Sequence, residues 1–78
     1  MSPKAISVDA LENYMLRIEF DNGEQKIFDV KPYFKFKVFE EIKDLEMFNT
    51  VKIAGLSIKW DNGVDICPDE LYNTSIKC

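Results

Sequence analysis

The sequence predicts an α+β domain: a mainly antiparallel sheet of about five to six short strands in β-hairpins, with one short helix between the hairpins and one short C-terminal helix. Three observations carry this. The turn Phe20-Asp21-Asn22-Gly23 recurs as Trp60-Asp61-Asn62-Gly63, each time between alternating apolar residues, which is a strong short-range hairpin signal because Asn and Gly tolerate positive φ. The stretch Val38 to Lys43 places Phe39 and Ile42 at helical spacing, with Leu45 following. Pro68 followed by Asp69 and Glu70 reads as a helix start, with proline pre-set at the first helical position and acidic residues on the positive end of the helix dipole.

In chain order, Lys4 to Val8 is a short first strand and Glu12-Asn13 the turn out of it. The second strand runs from Tyr14 to Phe20, with Tyr14, Leu16, Ile18 and Phe20 on one side and Met15, Arg17 and Glu19 on the other. That is the period of a half-buried strand. The chain then returns through Gln25 to Val30. A two-residue Asn22-Gly23 loop sets Leu16 against Asp29, whereas a three-residue loop with Gly in the left-handed position sets Leu16 against Phe28 and Tyr14 against Val30. Apolar beside apolar favours the second. The same choice later places Trp60 opposite Val64 and Ile58 opposite Ile66, so both hairpins are expected to combine a type I turn with a G1 bulge.

Pro32 ends the third strand, and a helical turn or two over Val38 to Lys43 continues loosely from Leu45 to Phe48. Val51 to Ala54 makes another strand, Gly55 turns it, Ser57 to Trp60 follows, and Val64 to Ile66 returns before the last helix. Trp60 is expected to pack on that helix with Tyr72 nearby.

Length and composition bound the function. A chain of 78 residues makes a single domain, 1–78, that buries roughly 60 to 65% of its unfolded surface, too little to build a deep substrate cleft. No apolar run approaches a membrane span, and Met1-Ser2-Pro3-Lys4 leads into a strand pattern instead of a signal peptide. The expected location is the cytoplasm. Cys67 and Cys78 are too few for a disulfide scaffold, so reduced thiols are expected. The chain holds no histidine, which removes the commonest general base and metal ligand together, and no cofactor is expected. The net charge of −4 disfavours general affinity for nucleic acid.

The stretches Phe20-Asp21-Asn22-Gly23-Glu24, Phe28-Asp29-Val30, Phe39-Glu40-Glu41-Ile42-Lys43-Asp44, Met47-Phe48, Trp60-Asp61-Asn62-Gly63-Val64-Asp65-Ile66 and Pro68-Asp69-Glu70-Leu71-Tyr72 resemble the bacterial 2442 family of domains of unknown function. The run from Trp60 to Tyr72 is its most specific part. The resemblance implies a small α+β fold of antiparallel hairpins and little chemistry. It also implies a genetic setting: members occur alone or fused to a helix-turn-helix domain, often beside another small domain in the manner of toxin-antitoxin pairs. Where the family commonly has a serine before the proline, this chain has Cys67, a poorer helix cap.

Four groups of residues invite a functional reading, each against a plainer one. Asp61, Asp65, Asp69 and Glu70 could gather near a hard cation, but the spacing is not that of a calcium loop, and turn and cap chemistry accounts for them. Cys67 before a helix start is a place where thiolate is stabilised, yet no histidine activates it and its acidic neighbours oppose ionisation. The segment Lys31-Pro32-Tyr33-Phe34-Lys35-Phe36-Lys37-Val38-Phe39 alternates basic and aromatic residues. Either its rings cover the end of the core while its lysines solvate the loop, or Tyr33, Phe34 and Phe36 form a protein interface. Trp60 with Tyr72 is a second candidate partner-binding pair against a core role. The sequence thus predicts a non-enzymatic protein-binding domain, in its family setting the regulatory or antitoxin-like half of a two-gene module. The alternative is a nucleic-acid-binding regulator using Lys31, Lys35 and Lys37 with Tyr33 and Phe36, stacking bases between phosphate-neutralising amines. Exposed strand edges leave a homodimer by edge pairing open.

Overall fold

A computed structural model describes residues 3–77. The expectations for Met1, Ser2 and Cys78 lie outside them. Strands β1 (Ala5–Ala10), β2 (Met15–Phe20) and β3 (Gln25–Asp29) form an antiparallel meander, and β7 (Ile76–Lys77) adds to it in the order β1-β2-β3-β7. A second antiparallel meander consists of β4 (Lys52–Ala54), β5 (Ser57–Lys59) and β6 (Asp65–Ile66). Between the meanders lie two 3₁₀ segments, Lys31–Lys35 and Lys37–Lys43, and a single-turn helix α1 (Leu45–Phe48). Helix α2 (Pro68–Thr74) precedes β7. The α+β class and the antiparallel hairpins hold. The strands divide between two sheets joined at Ala5, whose N–H donates to the carbonyl of Leu56 at 3.2 Å.

Both hairpins have the predicted register. Leu16 pairs with Phe28 and Ile58 with Ile66. In the first turn the Gly23 N–H donates to the Phe20 carbonyl and the Phe20 N–H to the Glu24 carbonyl; in the second, Gly63 and Trp60 repeat this with Trp60 and Val64. Gly23 and Gly63 take φ of +89° and +90°, the left-handed bulge position. Asn22 and Asn62 play the same part too, each accepting from the backbone N–H two residues on, at 3.0 and 3.2 Å.

The connection from β1 to β2 differs from expectation. Tyr14 does not begin β2; it lies in the connection Glu12–Tyr14, where Asn13 and Tyr14 both have left-handed backbones with φ of 62° and 58°. For Asn this is tolerable, whereas for Tyr it costs about 1–2 kcal/mol. The offset is tertiary. The Tyr14 ring meets Phe34 and Phe48 edge-on at 5.0 and 5.2 Å, and its hydroxyl donates to the Lys43 carbonyl at 2.5 Å.

One core draws on both sheets: Leu16, Ile18, Phe20, Phe28 and Val30 from the first, Ile58, Trp60 and Ile66 from the second, with Phe39, Ile42, Phe48 and Leu71 closing it. Leu45 does not continue the line of Phe39 and Ile42 into this core. Asp44 is extended at φ −70°, ψ 121°, which ends the 3₁₀ segment and resets the helix register, leaving Leu45 60% exposed and burying Phe48 in its stead. Among the described residues no helix is long and apolar enough to cross a membrane.

Candidate functional site

The segment between the sheets is built on a repeat of three. Pro32 fixes φ at its start, and i→i+3 bonds follow from Tyr33 N–H to Val30, Phe36 N–H to Tyr33 and Phe39 N–H to Phe36 carbonyls. Side chains three apart line up within a 3₁₀ run, as Phe39 and Ile42 do, while Phe36 between the two runs is extended at φ −91°, ψ 134°. The column Tyr33, Phe36, Phe39 is completed by ring contacts from Tyr33 to the other two. Phe39 and Ile42 are buried at the inner end of this column. Tyr33, half-buried, packs on Phe28 and Phe39 at 5.4 Å in each case. Phe36, at the outer end, is 49% exposed and lies 6.3 Å from the Tyr33 ring. Val38, next along, is 64% exposed.

A cleft of about 270 Å³ runs between this segment and α2, lined by Pro32, Tyr33, Lys35, Phe36, Glu70 and Thr74. Its far wall is polar. Glu70 accepts hydrogen bonds from the hydroxyls of Tyr33 and Thr74, and the Tyr33 phenol titrates above its ordinary range, first through partial burial and then through the bond to Glu70. A second hollow, of about 380 Å³, lies on the β4-β5-β6 sheet, with Leu56, Asp65, Cys67 and Pro68 around the buried Ser57 hydroxyl.

The predicted site residues separate. Phe36 is the most open of the predicted aromatics. Phe34 turns to the other side, half-buried against Tyr14, with the Lys43 ammonium 5.8 Å from its ring. Trp60 and Tyr72 do not form one pair. Trp60 is fully buried, meets Phe39 edge-on at 6.0 Å, and donates its indole N–H to the Phe48 carbonyl at 3.0 Å. Tyr72 packs edge-on against Phe20 at 5.1 Å beneath the Lys26 ammonium, and its hydroxyl donates to Glu24. That bond holds the Glu24 carboxyl at about 2, helped by Asn22 and Lys77, and raises the Tyr72 phenol. Trp60 therefore belongs to the core and Tyr72 to a small polar-aromatic cluster over β3.

The lysines separate as well. Lys31 pairs with Asp29 at 3.1 Å and donates to the Asn13 carbonyl at 2.6 Å, which binds the start of the segment to the β1–β2 connection. Lys35 lies 5.3 Å from the Phe36 ring centroid, and Lys37 is exposed. The acidic residues near α2 are dispersed: Asp61 pairs with Lys52 at 2.8 Å while Glu70 faces Tyr33. Among the described residues no three His, Cys, Asp or Glu side chains are grouped to hold a metal. The sequence pattern did not single out Val38 as a surface residue and set Leu45 in helical line with Phe39 and Ile42, whereas both are exposed. What sets them apart is the backbone, extended at Phe36 before the second 3₁₀ run and again at Asp44 before α1.

No curated protein and no solved structure matches the chain. A protein family of unknown function, DUF2442, matches it over residues 5–77. With nearly the whole chain matched, this protein belongs to the DUF2442 family.

Proposed function

We propose that this chain is a non-enzymatic, cytoplasmic domain that binds another protein through the outer side of the segment between its two sheets. The observation that carries the reading is Phe36. A phenylalanine 49% exposed beside a 64% exposed valine, on a segment whose other rings are drawn into the core, is the kind of apolar surface that marks protein contacts. Full burial of such a ring is worth about 1.5–3 kcal/mol. The family resemblance suggests a setting for this contact, the regulatory or antitoxin-like half of a two-gene module.

The nucleic-acid alternative draws less support from the same residues. Stacking surfaces need open rings, and Tyr33 and Phe34 are half-buried while Lys31 is engaged by Asp29 and Asn13. The test is capture from a host lysate by the immobilised wild type and by Phe36→Ala in parallel, washed at low and high salt. A stoichiometric protein held at high salt by the wild type and lost from the variant supports the reading. Equal retention by both sinks it. Nucleic acid released by salt, with no enriched protein, transfers the assignment to Lys31, Lys35 and Lys37.

A further inference from the structure

We infer that the hollow on the β4-β5-β6 sheet is a binding site for a small aliphatic amine, with the ammonium held by Asp65 and the Ser57 hydroxyl and the carbon chain laid against Leu56 and Pro68. The site shares no lining residue with the cleft beside Phe36, so it goes beyond the protein contact proposed above and does not depend on it.

The Ser57 hydroxyl carries the inference. Ser57 is 5% exposed, and its Oγ is the one buried side-chain polar atom without a hydrogen-bond partner among the described residues. A hydroxyl buried unpaired is unfavourable, and alanine at this position would avoid the penalty. The group that satisfies it comes from outside the chain. The sheet leaves room for one. Ser57 pairs with Ala54 of β4, but β6 ends at Ile66, opposite Ile58, and Pro68 then turns the chain into α2. No residue of β6 is therefore in register with Ser57, and the space left there is the hollow of about 380 Å³. Small-molecule sites span about 300–1,000 Å³, so the occupant is small.

The walls select its chemistry. Leu56, 56% exposed, joins Ala54 and Pro68 as aliphatic surface, and no aromatic ring lines the hollow to favour a stacked ligand. Asp65 is the only charged side chain among the described residues lining it; Lys59, opposite Asp65 in the strand register, is not one of them. An anion entering here meets a carboxylate with no cation in the wall to offset it. An ammonium instead complements that charge, and its three donors are enough for the carboxylate and the Ser57 oxygen together.

The test is titration of the full chain with isopentylamine, isopentyl alcohol and isovalerate, one type of branched carbon chain with different head groups, followed through the backbone amide resonances. The amine is expected to shift the Ser57, Asp65 and Ile66 signals saturably, with a roughly millimolar dissociation constant for so few atoms. It should bind about tenfold more tightly than the alcohol at low salt, and isovalerate should not saturate. Asp65→Asn should abolish the preference for the amine over the alcohol, and Ser57→Ala should weaken amine binding severalfold, each with a circular dichroism spectrum like that of the wild type. Ser57→Ala should also melt no lower than the wild type, since the hydroxyl it removes has no partner in the fold. A lower melting temperature for that variant places the partner within the protein and overturns the inference. Amine binding undiminished in Ser57→Ala overturns it too, leaving an ordered water as the partner of the hydroxyl. An alcohol that binds as tightly as the amine, or an amine that produces no saturable shift, overturns it as well. None of these outcomes bears on the lysate capture, which tests Phe36.

Discussion

Replacing Gly63 with alanine should destabilise the domain by about 1 kcal/mol, for a reason that lies wholly in the backbone. At φ +90° a Cβ added to Gly63 meets nothing within 4 Å, and the same holds for Gly23 at φ +89°. Collision with neighbours therefore contributes nothing. What remains is the left-handed conformation, which costs an L-residue about 1–2 kcal/mol, offset by about 0.4–1 kcal/mol from the lower entropy of the unfolded chain. For a domain of this size a net loss of about 1 kcal/mol lowers the melting temperature by about 4–8 °C. Urea unfolding followed by far-UV circular dichroism reads it as a lower midpoint at unchanged slope, since both variants expose the same surface. Gly63→Asn separates the causes: asparagine is larger than alanine but tolerates positive φ, so it should cost less. Because the two turns belong to different sheets and share no hydrogen bond, the Gly23→Ala and Gly63→Ala losses should add. A neutral Gly63→Ala, or an asparagine variant weaker than the alanine one, would refute the reasoning.

Two further outcomes follow from the geometry. Trp60→Phe removes the indole donor to the Phe48 carbonyl and leaves space in the core, a loss of about 2–4 kcal/mol checked by chemical denaturation; before mutation, the single tryptophan should resist iodide quenching, and ready quenching would contradict its burial. Glu24, whose carboxyl is held at about 2 against an ordinary 4.5, stabilises the fold fully above pH 4.5, and that contribution is lost as pH falls from about 4.5 toward 2. Glu24→Gln should flatten the acid limb of the stability curve in that window; an unchanged limb would remove the Tyr72 bond from the account.

How much of this was legible beforehand depends on what each element is made of. The hairpins were, because period-2 alternation and the Asp-Asn-Gly turns specify the same register: Leu16 could only meet Phe28 if the loop had three residues. The connecting segment was less so. Its apolar residues admit both a period of three and a period nearer four, and only hydrogen bonding through Phe36 and the break at Asp44 settle that Leu45 faces out and Phe48 in. Strand β7 is two residues long, shorter than any pattern, and exists because β3 offers it an edge. The left-handed Tyr14 ran against local preference, and what holds it is tertiary. The candidate site was seen as a run of alternating lysines and rings; which ring would stay outside was decided by how many the small core could accept.

The turn at Asn13 and Tyr14 reaches both ends of the Lys31 to Lys43 segment: Lys31 donates to the Asn13 carbonyl, and the Tyr14 hydroxyl donates to the carbonyl of Lys43. A loop anchored at both feet on neighbouring residues has little freedom to swing as a flap. On the protein-binding reading proposed above, Phe36 is a preformed surface, and docking there costs little entropy of ordering on this side of the contact. Association should accordingly resemble the meeting of a rigid face with whatever adapts to it, with the flexibility supplied by the partner.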